Sequence, residues 1–125
     1  MFPWKVAFAT YDGYSVNAHF GHAVRFDVYD VSYSQWKLMG SRILDVDDPQ
    51  QRVEQRVALV DDCKIIFVND LGGSAAARLT NARIQPIKVA FESSIITLIE
   101  QLQQTFNHSP APWLRRILTQ EVLHE

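Results

Sequence analysis

Lys64-Ile65-Ile66-Phe67-Val68, then Asn69-Asp70-Leu71-Gly72-Gly73-Ser74, then Ala75-Ala76-Ala77-Arg78-Leu79 read in turn as strand, turn and helix. The first segment is apolar and β-branched between polar residues, the composition of a buried strand. Downstream the alternation repeats: Ile87 to Phe91 reads as a strand, with Pro86 suited to a strand end or sheet edge. Ser93 then caps a helix whose Ile95, Leu98, Ile99, Leu102 and Phe106 form one apolar stripe. Upstream, Asp48 is a good N-cap, Pro49 suits the first helical position and Gln51 completes a variant capping box. Val53, Val57 and Val60 give that helix an apolar face, ending near Asp61.

Before Asp48 the pattern is extended. Lys5 to Thr10 (KVAFAT) is a short buried strand. Arg25 to Val31 alternates, with Phe26 and Val28 on one face and Arg25, Asp27 and Tyr29 on the other. Gln35 to Leu44 is a further extended stretch, joined to it by the hairpin Ser32-Tyr33-Ser34. The second half of the chain, strand-helix-strand-helix, demands right-handed crossovers and parallel strands. With the hairpin added, the expected fold is α/β: a five-stranded mixed sheet with strand 2 antiparallel and helices on both faces. This pattern resembles the ribonuclease-H-like architecture, in strand order 3-2-1-4-5.

The chain has 125 residues and 47% hydrophobic composition, enough for one domain with a real core. We divide it into an α/β domain over 1–108 and a tail over 109–125, with Asn107 to Pro112 reading as a linker at their junction. In that tail Trp113, Leu114, Ile117 and Leu118 make a narrow apolar stripe beside Arg115 and Arg116. We read it as a partner-docking element, or equally as a helix packed back on the sheet. A net charge of −2 argues against a nucleic-acid-coating protein. No apolar run has the length of a bilayer span, and the first residues do not read as a signal peptide, so a cytoplasmic location is expected. The single cysteine, Cys63, excludes an internal disulfide and a CxxC pair.

The connection from Tyr11 to Val24 is long and lacks a regular pattern, which points to function. It carries Asp12-Gly13 and His19-Phe20-Gly21-His22. It leaves the carboxyl end of a strand, as does Asp70-Leu71-Gly72-Gly73-Ser74, and in the proposed order both loops border one crevice. His19 and His22 offer imidazole nitrogens, common ligands for borderline metals. Gly72 and Gly73 allow close backbone approach. The helix opening near Ser74 presents the positive end of its dipole, and Arg78 could add charge one turn in. Histidines beside an anion-friendly helix end suit a negatively charged cluster or a phosphate. Cys63 follows two aspartates at a strand start and reads as a small semi-buried residue, with ligation the alternative. The run Asp45, Asp47, Asp48 reads as a solvated turn plus the N-cap.

The segments Lys5 to Thr10, Ala18-His19-Phe20-Gly21-His22 and Phe26-Asp27-Val28-Tyr29 resemble the dinitrogenase iron–molybdenum cofactor biosynthesis family. The resemblance continues through Asp62 to Phe67, Gly72 to Leu79 and Ile84 to Val89, and the tail from Pro112 to Leu118 is similar to the NifX-type branch. The family includes NifX-type carriers, the C-terminal domain of NifB and the core of NafY. The resemblance implies a ribonuclease-H-like fold that transiently binds an iron–sulfur precursor of the nitrogenase cofactor, or the cofactor itself. It implies passage between the assembly enzyme and scaffold proteins, without catalysis, nucleic acid or membrane. It maps the cluster-associated histidine onto His19. From the residues themselves, His22 and Cys63 are further candidate ligands, with Phe20, Gly21, Gly72, Gly73, Ser74 and Arg78 around the cargo. The CxxxCxxC signature of the cluster-making enzyme is absent. Two other functions use the same fold. A metal-dependent nuclease needs several converging carboxylates, and KVAFAT carries none. A regulatory interaction module would use only its surface.

Overall fold

A computed structural model describes residues 4–108 of the chain. The expected tail lies outside the described residues. The strands are β1 (Trp4–Ala9), β2 (Ser15–Val16), β3 (Arg25–Val31), β4 (Trp36–Ile43), β5 (Ile65–Val68), β6 (Gln85–Lys88) and β7 (Ser93–Ser94); the helices are α1 (Arg52–Leu59), α2 (Gly73–Asn81) and α3 (Ile95–Asn107). The five long strands form one sheet in the order β4-β3-β1-β5-β6, and β2 pairs separately with β7. Counting the long strands alone, the order is 3-2-1-4-5. β3 runs antiparallel to both β1 and β4, while β1, β5 and β6 are parallel.

The sheet divides the interior into two cores because successive strand residues point to opposite faces. Trp4, Val6, Phe8, Tyr29, Val31, Ile65 and Phe67 share one face with Ile95, Ile99, Leu102 and Phe106 of α3. The predicted α3 stripe is therefore the buried face of that helix. On the other face, Ala7, Ala9, Phe26, Val28, Ile66 and Val68 meet Ala75 and Leu79 of α2, with Val53 and Val57 of α1 packed against them. Among the described residues, no helix is long and apolar enough to cross a membrane.

Three local expectations change. β6 lies two residues earlier than predicted, at Gln85–Lys88. Its register follows β5, and after Val89 donates its N–H to the Val68 carbonyl the chain turns toward β7. Pro86 is accommodated because β6 is an edge strand. The N-cap of α3 is Ser94, which accepts from the Thr97 N–H; the Ser93 hydroxyl donates to the Ala90 carbonyl instead. Asp48 caps as expected, accepting the Gln50 N–H over a 3-10 turn, Pro49–Gln51. The side chain that returns to the Asp48 N–H is Gln55, at 2.9 Å, not Gln51. The 3-10 turn delays the α-helix, so the reciprocal acceptor sits one turn later.

Candidate functional site

The Tyr11–Val24 connection is folded tightly onto the domain. Asp12 opens it by accepting the N–H groups of Tyr14 and Ser15, and these bonds lower its carboxyl pKa below the ordinary value. Gly13 sits at φ +80°, where a Cβ would stand 2.8 Å from the Arg25 guanidinium, so glycine is favoured there. β2 then pairs with β7, and the Asn69 amide donates to both the Val16 and Val89 carbonyls. Val16, Ala18, Phe20 and Ala23 are all buried. This loop has no strand-like alternation because its apolar residues anchor it singly rather than along one face.

The two expected loops do meet. The Asn69 N–H donates to the Ala18 carbonyl at 3.0 Å, and the Phe20 N–H donates to the Asp70 carbonyl at 2.9 Å. These bonds join the histidine segment to the turn before α2, beyond the carboxyl ends of β1 and β5. Gly72 is the N-cap of α2 and supplies no side-chain cap, so the first helical N–H groups stay open to an incoming acceptor. A Cβ on Gly72 or Gly73 would meet nothing within 4 Å, and neither has positive φ. Internal packing therefore does not require these glycines. Asp70 accepts the Leu71 N–H and faces Lys88, and both hold its carboxyl below the usual range.

Residues 19–23 form a tight turn, with the N–H groups of His22 and Ala23 both donating to the His19 carbonyl. His19 is half-buried and His22 exposed, with ring centroids 5.1 Å apart. The Gly21 N–H donates to His19 Nδ1 at 2.9 Å. Arg52 Nη1 lies 3.0 Å from the Gly21 carbonyl and 3.2 Å from His22 Nδ1. Arg56 is fully buried; its Nε donates to the Ala23 carbonyl and its terminal nitrogens pair with both Asp47 oxygens. The first turns of α1 thus hold the histidine turn through two guanidinium groups.

Three expectations are corrected by this placement. Phe20 is fully buried beside Phe26, so it anchors the turn and has no surface for a ligand. Arg78 does not face the histidines: it pairs with Glu54 of α1 at 3.0 Å and lines an open groove of about 560 Å³ between α1 and α2. The guanidinium beside the histidines is Arg52. Asp47 is not merely solvated but neutralises the buried Arg56, which lowers its carboxyl pKa. The signal for Arg56 was present in the chain. It stands three residues after Val53 and four before Val60, inside the apolar stripe of α1.

Cys63 sits at the amino end of β5, where the adjacent Lys64 N–H donates to the Lys5 carbonyl, so it lies at the opposite end of the sheet from the histidines. Burial pushes its thiol up to about 12. A thiol that stays protonated is a poor nucleophile and metal ligand. We expect thiol reagents such as iodoacetamide to label Cys63 only as the protein is unfolded with denaturant; rapid labelling of the native protein would contradict this placement. Among the described residues, no group of three or more His, Cys, Asp or Glu side chains could hold a metal ion.

The mixed α/β sheet thus carries a histidine turn beside the uncapped start of α2. The chain belongs to the dinitrogenase iron–molybdenum cofactor biosynthesis family: the family model described as "Dinitrogenase iron-molybdenum cofactor" matches residues 3–105. It is 34% identical to protein NifX of Sinorhizobium fredii over 93% of this chain and 78% of that protein. It is 33% identical to protein NifX of Herbaspirillum seropedicae, over 91% of this chain and 81% of that one. Protein NifY of Azotobacter vinelandii is 27% identical over 94% of this chain, which spans 49% of NifY. The crystal structure of PH0822 superposes with a TM-score of 0.58 at 17% identity, covering 80% of this chain and 90% of that one, a likeness of fold.

Proposed function

We propose that this chain binds an iron–sulfur precursor of the nitrogenase cofactor, or the cofactor itself, and carries it from the assembly enzyme to scaffold proteins in the cytoplasm without catalysing a reaction. We further propose the ribonuclease-H-like architecture for the fold, a reading that the order β4-β3-β1-β5-β6 with β3 antiparallel supports. The observation that supports the reading best is the junction of the His19–His22 turn with the uncapped start of α2, tied by the Phe20–Asp70 and Asn69–Ala18 hydrogen bonds. The open N–H groups of α2 and the two imidazoles lie on these joined segments, and the Arg52 guanidinium adds positive charge. Such an arrangement favours an anionic cargo. Few contacts and, among the described residues, no closed cage of ligands suit a carrier, because cargo must leave again.

Anaerobic incubation with an iron–sulfur cluster, read by visible absorption after desalting, tests this. The parent chain should retain the chromophore, and His19→Ala should weaken retention about tenfold while the circular dichroism stays unchanged, the loss of one charge-assisted contact. His22→Ala should have a smaller effect, because His22 is the more exposed. No retention by the parent chain would refute the carrier and leave a regulatory interaction module as the reading of this surface.

A further inference from the structure

A backbone N–H and a guanidinium can only donate hydrogen bonds. The nitrogens that face them must therefore accept. His19 Nδ1 accepts from Gly21 at 2.9 Å, and His22 Nδ1 stands 3.2 Å from Arg52 Nη1. An accepting ring nitrogen carries no proton, so in each ring the proton sits on Nε2. A histidine that binds a metal is arranged the other way round: the second nitrogen donates its N–H to a carbonyl or carboxylate, leaving the ligating nitrogen bare. Neither histidine here has that arrangement. Ligation through Nε2 would require each ring to move its proton to Nδ1 and break the bond that now orients it.

We propose that His19 and His22 are held as Nε2–H tautomers and meet an anionic, sulfide- or oxo-bearing cargo as hydrogen-bond donors, with no metal–nitrogen bond. The identity of the cargo rests on the carrier reading above; the tautomers do not. The surroundings agree with a donor rim. The nearby carboxylates, Asp47 and Asp70, are already engaged by Arg56 and Lys88, and Arg52 places a positive charge behind His22. The uncapped N–H groups of α2 belong to the turn joined to the same segment. An anion whose surface atoms accept hydrogen bonds fits this rim, whereas a bare divalent cation does not.

Long-range 1H–15N spectra of the imidazoles in the intact chain test the tautomers directly. We expect Nε2–H signatures for both residues. Arg52→Ala should shift His22 toward a tautomer mixture, while His19, whose Nδ1 accepts from the Gly21 backbone and not from Arg52, should keep a predominant Nε2–H signature. Tetrathiomolybdate, an anion with a sulfide surface, should move both Nε2–H resonances without changing the tautomer, and cobalt(II) alone should leave the two rings unbroadened. His19→Ala should weaken tetrathiomolybdate binding about tenfold, whereas His19→Gln, which keeps an N–H at similar reach, should retain most of it. An Nδ1–H signature in the parent chain, selective broadening of these rings by cobalt(II), or equal loss in the Gln and Ala variants would overturn the proposal. So would strong nitrogen hyperfine coupling from His19 in pulsed EPR of a bound iron–sulfur cluster. That result would leave the carrier standing, while failure to retain any cluster would remove the carrier without altering the tautomers.

Discussion

Replacing Phe20 by alanine is expected to lower stability by about 3–5 kcal/mol, the usual cost of deleting a fully buried aromatic ring. Phe20 has no exposed surface and lies with Ala7, Ala9, Ala18, Ala23 and Phe26 in the core beneath the histidine turn. A domain of this size has roughly 5–15 kcal/mol in all, so the variant should sit near its unfolding threshold. Its thermal midpoint should fall by about 10 °C or more, at roughly 3–6 °C per kcal/mol for a domain of this size. Cluster retention should fall with it, because the ring fixes residues 19–23. Phe20→Leu should recover most of both properties. Were Phe20 a ligand contact instead, the alanine variant would bind poorly yet melt like the parent, and thermal denaturation followed by circular dichroism separates the two outcomes.

Arg56→Met should produce the second large effect, about 2–3 kcal/mol of destabilisation. The guanidinium is fully buried and satisfies the Ala23 and Arg52 carbonyls as well as both oxygens of Asp47. Methionine fills a similar volume but leaves the Ala23 carbonyl without its buried donor. Asp47 is partly exposed and can turn to water, which keeps the cost below that of stranding a buried charge. Since Ala23 closes the turn that carries His19 and His22, cluster retention should drop in Arg56→Met even at temperatures where the protein remains folded. Arg56→Lys should not rescue either property, because an ammonium group cannot pair with two oxygens in a plane and still reach Ala23. Denaturant titration of the three proteins checks the energies. Equal midpoints for parent and Arg56→Met would show that the buried pair holds nothing together.

The amino-acid sequence alone determined the kinds of element and the end of the sheet at which the two loops meet. The 3.6-residue recurrence of Ile95, Ile99, Leu102 and Phe106 marked the buried face of α3, and KVAFAT and KIIFV were legible as strands, because local burial leaves a local period. The histidine loop and the Gly72-Gly73 turn were legible as neighbours, since both follow carboxyl ends of adjacent parallel strands. The local motifs also carried the family. What each polar side chain does was settled only by the tertiary structure. Phe20 turned inward, Arg56 took a place in the core, Arg52 rather than Arg78 came to the histidines, and β6 took its register from β5. These outcomes rest on partners far away in the chain, as with Arg56 and the Ala23 carbonyl or Asn69 and the Val16 carbonyl. A hydrogen bond between distant residues imposes no period on the sequence around either one, so it becomes visible only when packing brings donor and acceptor within 3 Å or so of each other.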